Sequence, residues 1–210
     1  MRIFLTILMI INAYLVGSIP FGVVIGKLRG IDIRNYGSHN IGATNALRTL
    51  GRKWGAIVFI LDFIKGGLFV ILATNIFNQY ENIFLNIHPL AYGGAAVFGH
   101  LFPIYIKFKG GKGVSSTAGA VLAFSWPVFI IAILGFITTV IISKYVSLSS
   151  TIAGLCLILG WAIFNNNDLI FLIFLIVAVG ISFIKHIPNY KRLIKHEESK
   201  LSLRKNKKES

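Results

Sequence analysis

Long apolar stretches alternate with short polar ones along most of this chain. Seven of them read as membrane-spanning helices, at approximately 3–26, 54–77, 88–106, 113–126, 127–143, 147–164 and 168–185. A spanning helix takes roughly 17–25 mostly apolar residues. The fourth stretch is short and opens on the small residues Ser115, Ser116 and Thr117. Pro127 separates it from the fifth, because proline cannot continue a helical hydrogen-bond ladder. The alternative is one kinked segment over 113–143, which gives six spans. The first stretch follows Arg2, lacks a small-residue cleavage site and stays apolar through Gly22-Val23-Val24-Ile25. It therefore reads as a retained helix rather than a signal peptide.

Composition supports a membrane protein. Of 210 residues, 55% are hydrophobic and 13% charged, against about 25% charged in soluble domains. Mean hydropathy is +0.76. These values exclude an ordinary soluble globule and a disordered chain. The net charge is +14, from 21 Lys and Arg against 7 Asp and Glu. Such an excess can mark nucleic-acid binding, but here the charges sit between apolar runs, so no nucleic-acid partner is expected. With seven spans, segments 27–53, 107–113, 143–146 and the tail from 185 share one side. They hold every Lys and Arg except Arg2 and Lys65. By the positive-inside rule that side is the cytoplasm and the N-terminus lies outside. An even number of spans would place the basic tail outside. The fold class is thus an all-α integral membrane protein of seven helices, with a cytoplasmic C-terminus. Residues 1–198 form one domain, and 199–210 a polar basic tail near anionic lipid headgroups. Cys156 is the lone cysteine, sits in an apolar run and reads as an inert thiol.

The candidate chemistry lies in the inner segments. Segment 35–53 carries Ser38, Asn40, Thr44 and Asn45 as hydrogen-bonding groups and Arg48 as a bidentate fork, a geometry suited to phosphate or carboxylate. A solvated loop accounts for Arg52 and Lys53, but poorly for so many small polar groups between hydrophobic helices. Segment 107–117 reads Lys-Phe-Lys-Gly-Gly-Lys-Gly-Val-Ser-Ser-Thr. Gly110, Gly111 and Gly113 let backbone N–H groups approach an anion, a helix N-terminus follows, and Lys112 adds a full charge. The spacing is not that of a Walker A loop, so nucleotide binding is unsupported. Ser147 reads equally well as a helix cap or a ligand. His186 stands at the inner boundary, where a proton donor or acceptor is useful, although a lone interfacial histidine is commonly just tolerated there. Asp62 and Lys65, at i and i+3 in the second stretch, read as a structural pair.

Several catalytic templates are missing. There is no H-E-x-x-H motif or Cys/His cluster to suggest a metal and no G-x-S-x-G elbow. His39 and His100 are followed at H-x(4)-D spacing by Thr44 and Tyr105, so the signature of soluble glycerolipid acyltransferases is absent. Phosphate-friendly segments without an activated nucleophile point to positioning and charge stabilisation acting on an already activated substrate.

Three groups of residues then carry a family resemblance. The first is Gly17-Ser18-Ile19-Pro20-Phe21-Gly22, Asp32-Ile33-Arg34 and Gly37-Ser38-His39-Asn40-Ile41-Gly42-Ala43-Thr44-Asn45, with Arg48 and Gly51. The second is Gly99-His100-Leu101-Phe102-Pro103 with Phe108-Lys109-Gly110-Gly111-Lys112-Gly113-Val114. The third is Tyr145-Val146-Ser147-Leu148 with His186, Asn189, Arg192-Leu193 and Glu198. Along almost its whole length the chain resembles the bacterial membrane acyl-phosphate:glycerol-3-phosphate acyltransferases, the PlsY family.

The resemblance implies seven helices in the bacterial cytoplasmic (inner) membrane, with the N-terminus outside and the active site on the cytoplasmic face. It implies transfer of a fatty acyl group from acyl phosphate to the 1-hydroxyl of sn-glycerol 3-phosphate, giving lysophosphatidic acid and phosphate. No cofactor, metal or acyl-CoA is implied. The implied partners are the two substrates, membrane lipids and the enzyme that makes acyl phosphate. Carried over, Ser38, Arg48 and Lys112 are phosphate ligands, and Asn40, Thr44, Asn45, Gly110, Gly111, Gly113 and Glu198 belong to substrate binding. Ser147, His186, Asn189 and Lys112 stand near the reacting centre. The glycerol proton goes either to an oxygen of the acyl phosphate or to His186. Departures from the family pattern are Lys144 and Lys185 in place of Arg, His196 in place of Gly, and Ser115-Ser116 in place of Ala-Thr. The competing classes are a transporter, whose polar groups would reach both sides, and a lipid-binding scaffold, which would not need Arg48 or Lys112. An apolar groove between helices is expected to hold the acyl chain.

Overall fold

A computed structural model describes residues 1–80, 82–165 and 167–201. Among them the structure is helical, with three short 3-10 turns and no strand. The first apolar stretch is two helices rather than one: α1 (Arg2–Gly17) and α2 (Phe21–Leu28) meet at a 44° bend. Pro20 lies in that break and supplies no N–H, so the ladder cannot run through it. The polar stretch that follows is partly ordered into short elements. The Asp32 carboxylate accepts from Arg34 N–H (3.1 Å) and caps a 3-10 turn at Ile33–Asn35, and α3 (Ala43–Leu50) follows.

α4 (Arg52–Asn75) is the second apolar stretch. α5 (Pro89–Leu101) starts with proline where its missing N–H is harmless, and the His88 ring accepts from Leu90 N–H. α6 (Val114–Phe124) and α7 (Trp126–Ser143) are parted at Ser125, with Pro127 in the first turn of α7. α8 (Val146–Phe164) and α9 (Leu169–Ile194) complete the bundle, and Asp168 caps α9 by accepting from Phe171 N–H (2.8 Å). α9 continues past the expected end at 185, through Pro188. Two of its polar side chains there, His186 and Asn189, are buried.

Helix is thus found in all seven apolar stretches. Five segments are long and apolar enough to cross a bilayer: Arg52–Asn75, Pro89–Ile106, Trp126–Ser143, Val146–Phe164 and Leu169–Ile194. The bent pair α1 and α2 counts as a sixth. α6, with 11 residues, is only roughly 16 Å long. Large apolar side chains such as Leu134, Ile141 and Ile142 point outward, as lipid-facing helices require.

The interior combines an apolar core with close helix crossings. Val70, Leu90, Val97, Val121, Phe171 and Leu175 are among its buried members. α4 and α6 meet backbone to backbone: a Cβ on Gly66 would strike the Ser116 backbone, and one on Gly119 the Phe63 carbonyl. Small residues at such crossings are how helices associate where no hydrophobic force separates lipid from protein.

The two ends of the bundle differ. At one end His88 Nε2 lies 3.1 Å from Asp168 Oδ2, Ser125 donates to Asn165 (2.8 Å) and Arg2 donates to the Phe84 carbonyl (3.3 Å). The other end gathers the loop before α3, the glycine-rich segment before α6, the start of α8, the last turns of α9 and the segment after it. Expected tail residues 202–210 lie outside the described residues.

Candidate active site

A polar cavity of about 140 Å³ opens at this second end. Ser38, Asn40, Thr44, Asn45, Arg48, Lys112, Gly113, Ser147, His186, Asn189 and Glu198 all line it. Residues far apart in the sequence therefore converge as expected. Gly110 and Gly111 do not line it. They pack against the end of α5, where Gly111 N–H donates to the His100 carbonyl (3.1 Å).

Glu198 is the hub of the site. Its carboxylate accepts from Asn189 Nδ2 (2.8 Å), Ser147 Oγ (3.2 Å) and Arg192 Nε (2.9 Å), and Arg48 lies 4.0 Å away. Asn189 Oδ1 in turn accepts from Lys112 Nζ. The side chain of Glu198 is only 2% exposed. Burial alone would raise its pKa. The hydrogen bonds from Asn189 and Arg192 outweigh that and hold it below the usual carboxylate range. Arg48 also donates to the Ser199 carbonyl (3.0 Å), and Leu201 N–H donates to the Lys144 carbonyl (2.7 Å). Residues 195–201 are thereby strapped across the start of α8.

Lys112 is half-buried. Burial pushes its ammonium down to about 8, with Arg192 and Arg48 adding to the fall and Glu198 opposing it. Burial also lowers Arg48, partly offset by Glu198. Around Glu198 three cations, Arg48, Lys112 and Arg192, thus face one carboxylate, while the other acidic group on the wall, Asp62, is paired with Lys65 (2.8 Å). The end of the cavity near Glu198 keeps an unmatched positive charge suited to a phosphate.

His186 is fixed by its own helix. Its Nδ1 lies 2.8 Å from the Ser182 carbonyl, so Nδ1 carries a proton, and in the neutral ring Nε2 keeps a lone pair. Asn45 has a different role from the one its spacing suggested. Its amide donates to the carbonyls of Ile33 (2.8 Å), Tyr36 (3.1 Å) and Asn40 (2.8 Å), and its oxygen accepts from Ser38 N–H (2.8 Å). Both donor hydrogens are consumed by the loop, so Asn45 shapes the cavity wall rather than reaching into it. Asn40 likewise accepts from Gly42 N–H (2.9 Å).

Two ionisable lining residues were missed as site members: Asp62 of α4 and His100 of α5. Each is a polar residue inside an apolar stretch, and that was the available signal. The departures from the family pattern also find places. Lys185 donates to the Leu101 carbonyl (2.9 Å) at the end of α5. Lys144 ends α7 in the left-handed conformation (φ 63°). His196 is left-handed too (φ 59°). The turn there bonds Glu197 N–H to the Arg192 carbonyl (2.8 Å) and His196 N–H to the Leu193 carbonyl (3.1 Å). This turn after a helix favours glycine. His196→Gly is therefore expected to stabilise the fold by about 1 kcal/mol, with unchanged kcat. Thermal unfolding in detergent checks it, and a lower midpoint would refute it.

A second, apolar chamber of about 210 Å³ adjoins the polar one. Its walls include Phe129, Ala132, Ile133, Leu155, Leu157 and Val179 from α7, α8 and α9. The two chambers share Phe59, Val114, Phe136, Ser150 and His186. His186 thus stands where an anionic group and an apolar chain would meet.

Comparison with known proteins gives the family of the chain. Residues 7–196 match the family described as glycerol-3-phosphate acyltransferase. A glycerol-3-phosphate acyltransferase from Bacillus cytotoxicus is 42% identical over 206 residues, covering 98% of this chain and 100% of the relative. One from Desulforamulus reducens is 44% identical over 201 residues, covering 95% and 97%. The crystal structure of PlsY, an integral membrane glycerol 3-phosphate acyltransferase, in its glycerol 3-phosphate form matches with a TM-score of 0.85 at 36% identity, covering 94% of this chain and 96% of that one. Family profile, relatives, fold and apolar helices agree: the chain is a multi-pass membrane protein belonging to the glycerol-3-phosphate acyltransferase (PlsY) family.

Proposed function

We propose that the protein transfers a fatty acyl group from acyl phosphate to the 1-hydroxyl of sn-glycerol 3-phosphate, releasing lysophosphatidic acid and phosphate. The observation that carries this is the joined pair of chambers, one cationic and one apolar, meeting at His186. Arg48, Lys112 and Ser147, with Ser38 on the same wall, bind phosphate groups. The apolar chamber takes the acyl chain. The glycerol oxygen bonds to the acyl carbon, the bond from that carbon to phosphate breaks, and the hydroxyl proton leaves on the phosphate. His186 Nε2 accepts a hydrogen bond and orients the hydroxyl.

No protein nucleophile is required. Ser147 donates to Glu198, whose lowered pKa makes it too weak a base to activate a serine. Asn189 keeps Lys112 aimed at the developing phosphate charge.

The same reading places seven passes in the bacterial inner membrane, with the N-terminus outside. α6 supports this despite its length. It starts at the cavity end and leads to Ser125, which bonds Asn165 at the opposite end. The basic segments lie at the cavity end, and the positive-inside rule supports a cytoplasmic position for that end. There an enzyme that makes acyl phosphate supplies the donor.

The test is phosphate release by purified protein given acyl phosphate, with and without glycerol 3-phosphate, and with acyl-CoA as control donor. Release that needs glycerol 3-phosphate and yields lysophosphatidic acid supports the reading. Transfer from acyl-CoA, or no turnover by a folded preparation, sinks it. The pH profile is a second check. Lys112 is charged below about 8 and loses its proton above it, so kcat/KM is expected to fall as pH rises through that region. A flat profile to pH about 10 would remove Lys112 as a required cation.

A further inference from the structure

Asp62 and Lys65 form a buried ion pair within α4, with Nζ 2.8 Å from Oδ1 and each side chain 2% exposed. An ion pair there could simply orient the helix, and Lys65 already has what it needs for that. It donates to the Ile19 carbonyl in the α1–α2 break (2.7 Å) and lies over the Phe21 ring. Yet Asp62 faces a second neighbour. His100 Nδ1 of α5 stands 3.5 Å from the same Oδ1 atom, and its side chain is 4% exposed. Both Asp62 and His100 reach the wall of the polar cavity.

His100 touches the glycine-rich segment twice. Its carbonyl accepts from Gly111 N–H (3.1 Å). Its ring abuts Gly111 so closely that a Cβ there would fall on Nε2, Cε1 and Cδ2. The next residue is Lys112, whose ammonium bonds Asn189. An unbroken line of contacts therefore runs from Ile19 through Lys65, Asp62 and His100 to the loop that carries the phosphate-facing lysine.

We infer that Asp62 and His100 are positioning residues: Asp62 fixes the His100 ring, and the ring holds the Gly110–Gly113 segment so that Lys112 meets its phosphate. This rests on the acyl-transfer reading above. A displacement of about 1 Å in such a group can cost about 100-fold in rate. His100 acts through Lys112, so its contribution disappears when Lys112 is gone.

The experiment is a kinetic double-mutant cycle in detergent-purified full chain, with acyl phosphate and glycerol 3-phosphate. His100→Gln leaves the Asp62–Lys65 pair intact and is expected to lower kcat by about 10- to 100-fold. Lys112→Ala lowers it further, and adding His100→Gln to Lys112→Ala changes nothing more. Gly111→Ala pushes on the ring from the other side and is expected to show the same loss and the same lack of additivity. This variant decides the matter if His100→Gln does not fold. Multiplying losses in the double variants would make His100 an ordinary packing residue and overturn the inference. So would wild-type kcat in a folded His100→Gln or Gly111→Ala. Failure of the acyl-transfer reading is distinguishable, because the wild-type protein would then not turn over.

Discussion

Lys112→Ala is expected to lower kcat by about 100- to 1,000-fold while the protein folds normally, the usual loss when one preorganised group aimed at developing charge is removed. Both halves follow from the same environment. Lys112 is the cation that the glycine-rich segment brings to the cavity, held by Asn189 beside Ser147 and His186 in its wall. Its pKa is pushed down by burial, so the fold disfavours its charge rather than depending on it. Removing it therefore takes transition-state stabilisation away without taking stability. Lys112→Arg keeps the charge but changes its shape, and is expected to recover part of the rate. Steady-state kinetics alongside thermal unfolding separates these effects. A folded Lys112→Ala within about threefold of wild type would remove the lysine from the mechanism, given the expected loss.

Glu198→Ala is expected to cost both rate and stability. It unties Ser147 and Asn189, and through Asn189 it loosens Lys112. It also leaves Arg192 without its carboxylate partner. Hydrogen bonds to charged groups contribute about 1.5–3 kcal/mol each, but Arg192 and Arg48 are partly exposed and water recovers part of that loss. A net destabilisation of about 2 kcal/mol is expected, with kcat down about 100-fold because several site groups lose their positions together. Glu198→Gln can still accept from Ser147 and Asn189 and should fall between. The sign with pH is fixed as well. Glu198 is held below its ordinary range when folded, so its stabilisation is complete above about pH 4.3 and fades as pH drops towards the lower folded value. Equal unfolding midpoints for wild type and Glu198→Ala at pH 7 would refute the hub.

The helical stretches were legible in the sequence because lipid requires continuous apolar surface, and that leaves a mark at every position. What escaped was decided by contacts between distant residues. α3 is eight residues long, and it lies in a segment whose polarity reads as a loop. α9 runs to Ile194 because His186 and Asn189 find partners inside the protein, which their polarity alone does not announce. Arg48 and Lys112 were recognisable from their chemistry. Asn45 was expected to orient substrate and lies on the cavity wall with its amide turned to three carbonyls, and an amide facing substrate and one facing the loop are spelled alike. The link from Asp62 to His100 crosses two helices, and no periodicity within either one encodes it.

The strap over residues 195–201 also imposes an order in time. The chain is made from its N-terminus, so Glu198 emerges after all nine helices of the described structure. Until then Ser147 and Asn189 lack their shared anchor, and Arg48 faces Arg192 with no carboxylate between them. A nascent chain that has already inserted its helices is thus an unfinished catalyst. Its activity is expected to begin only when the last-made residues settle against the start of α8 and Arg48.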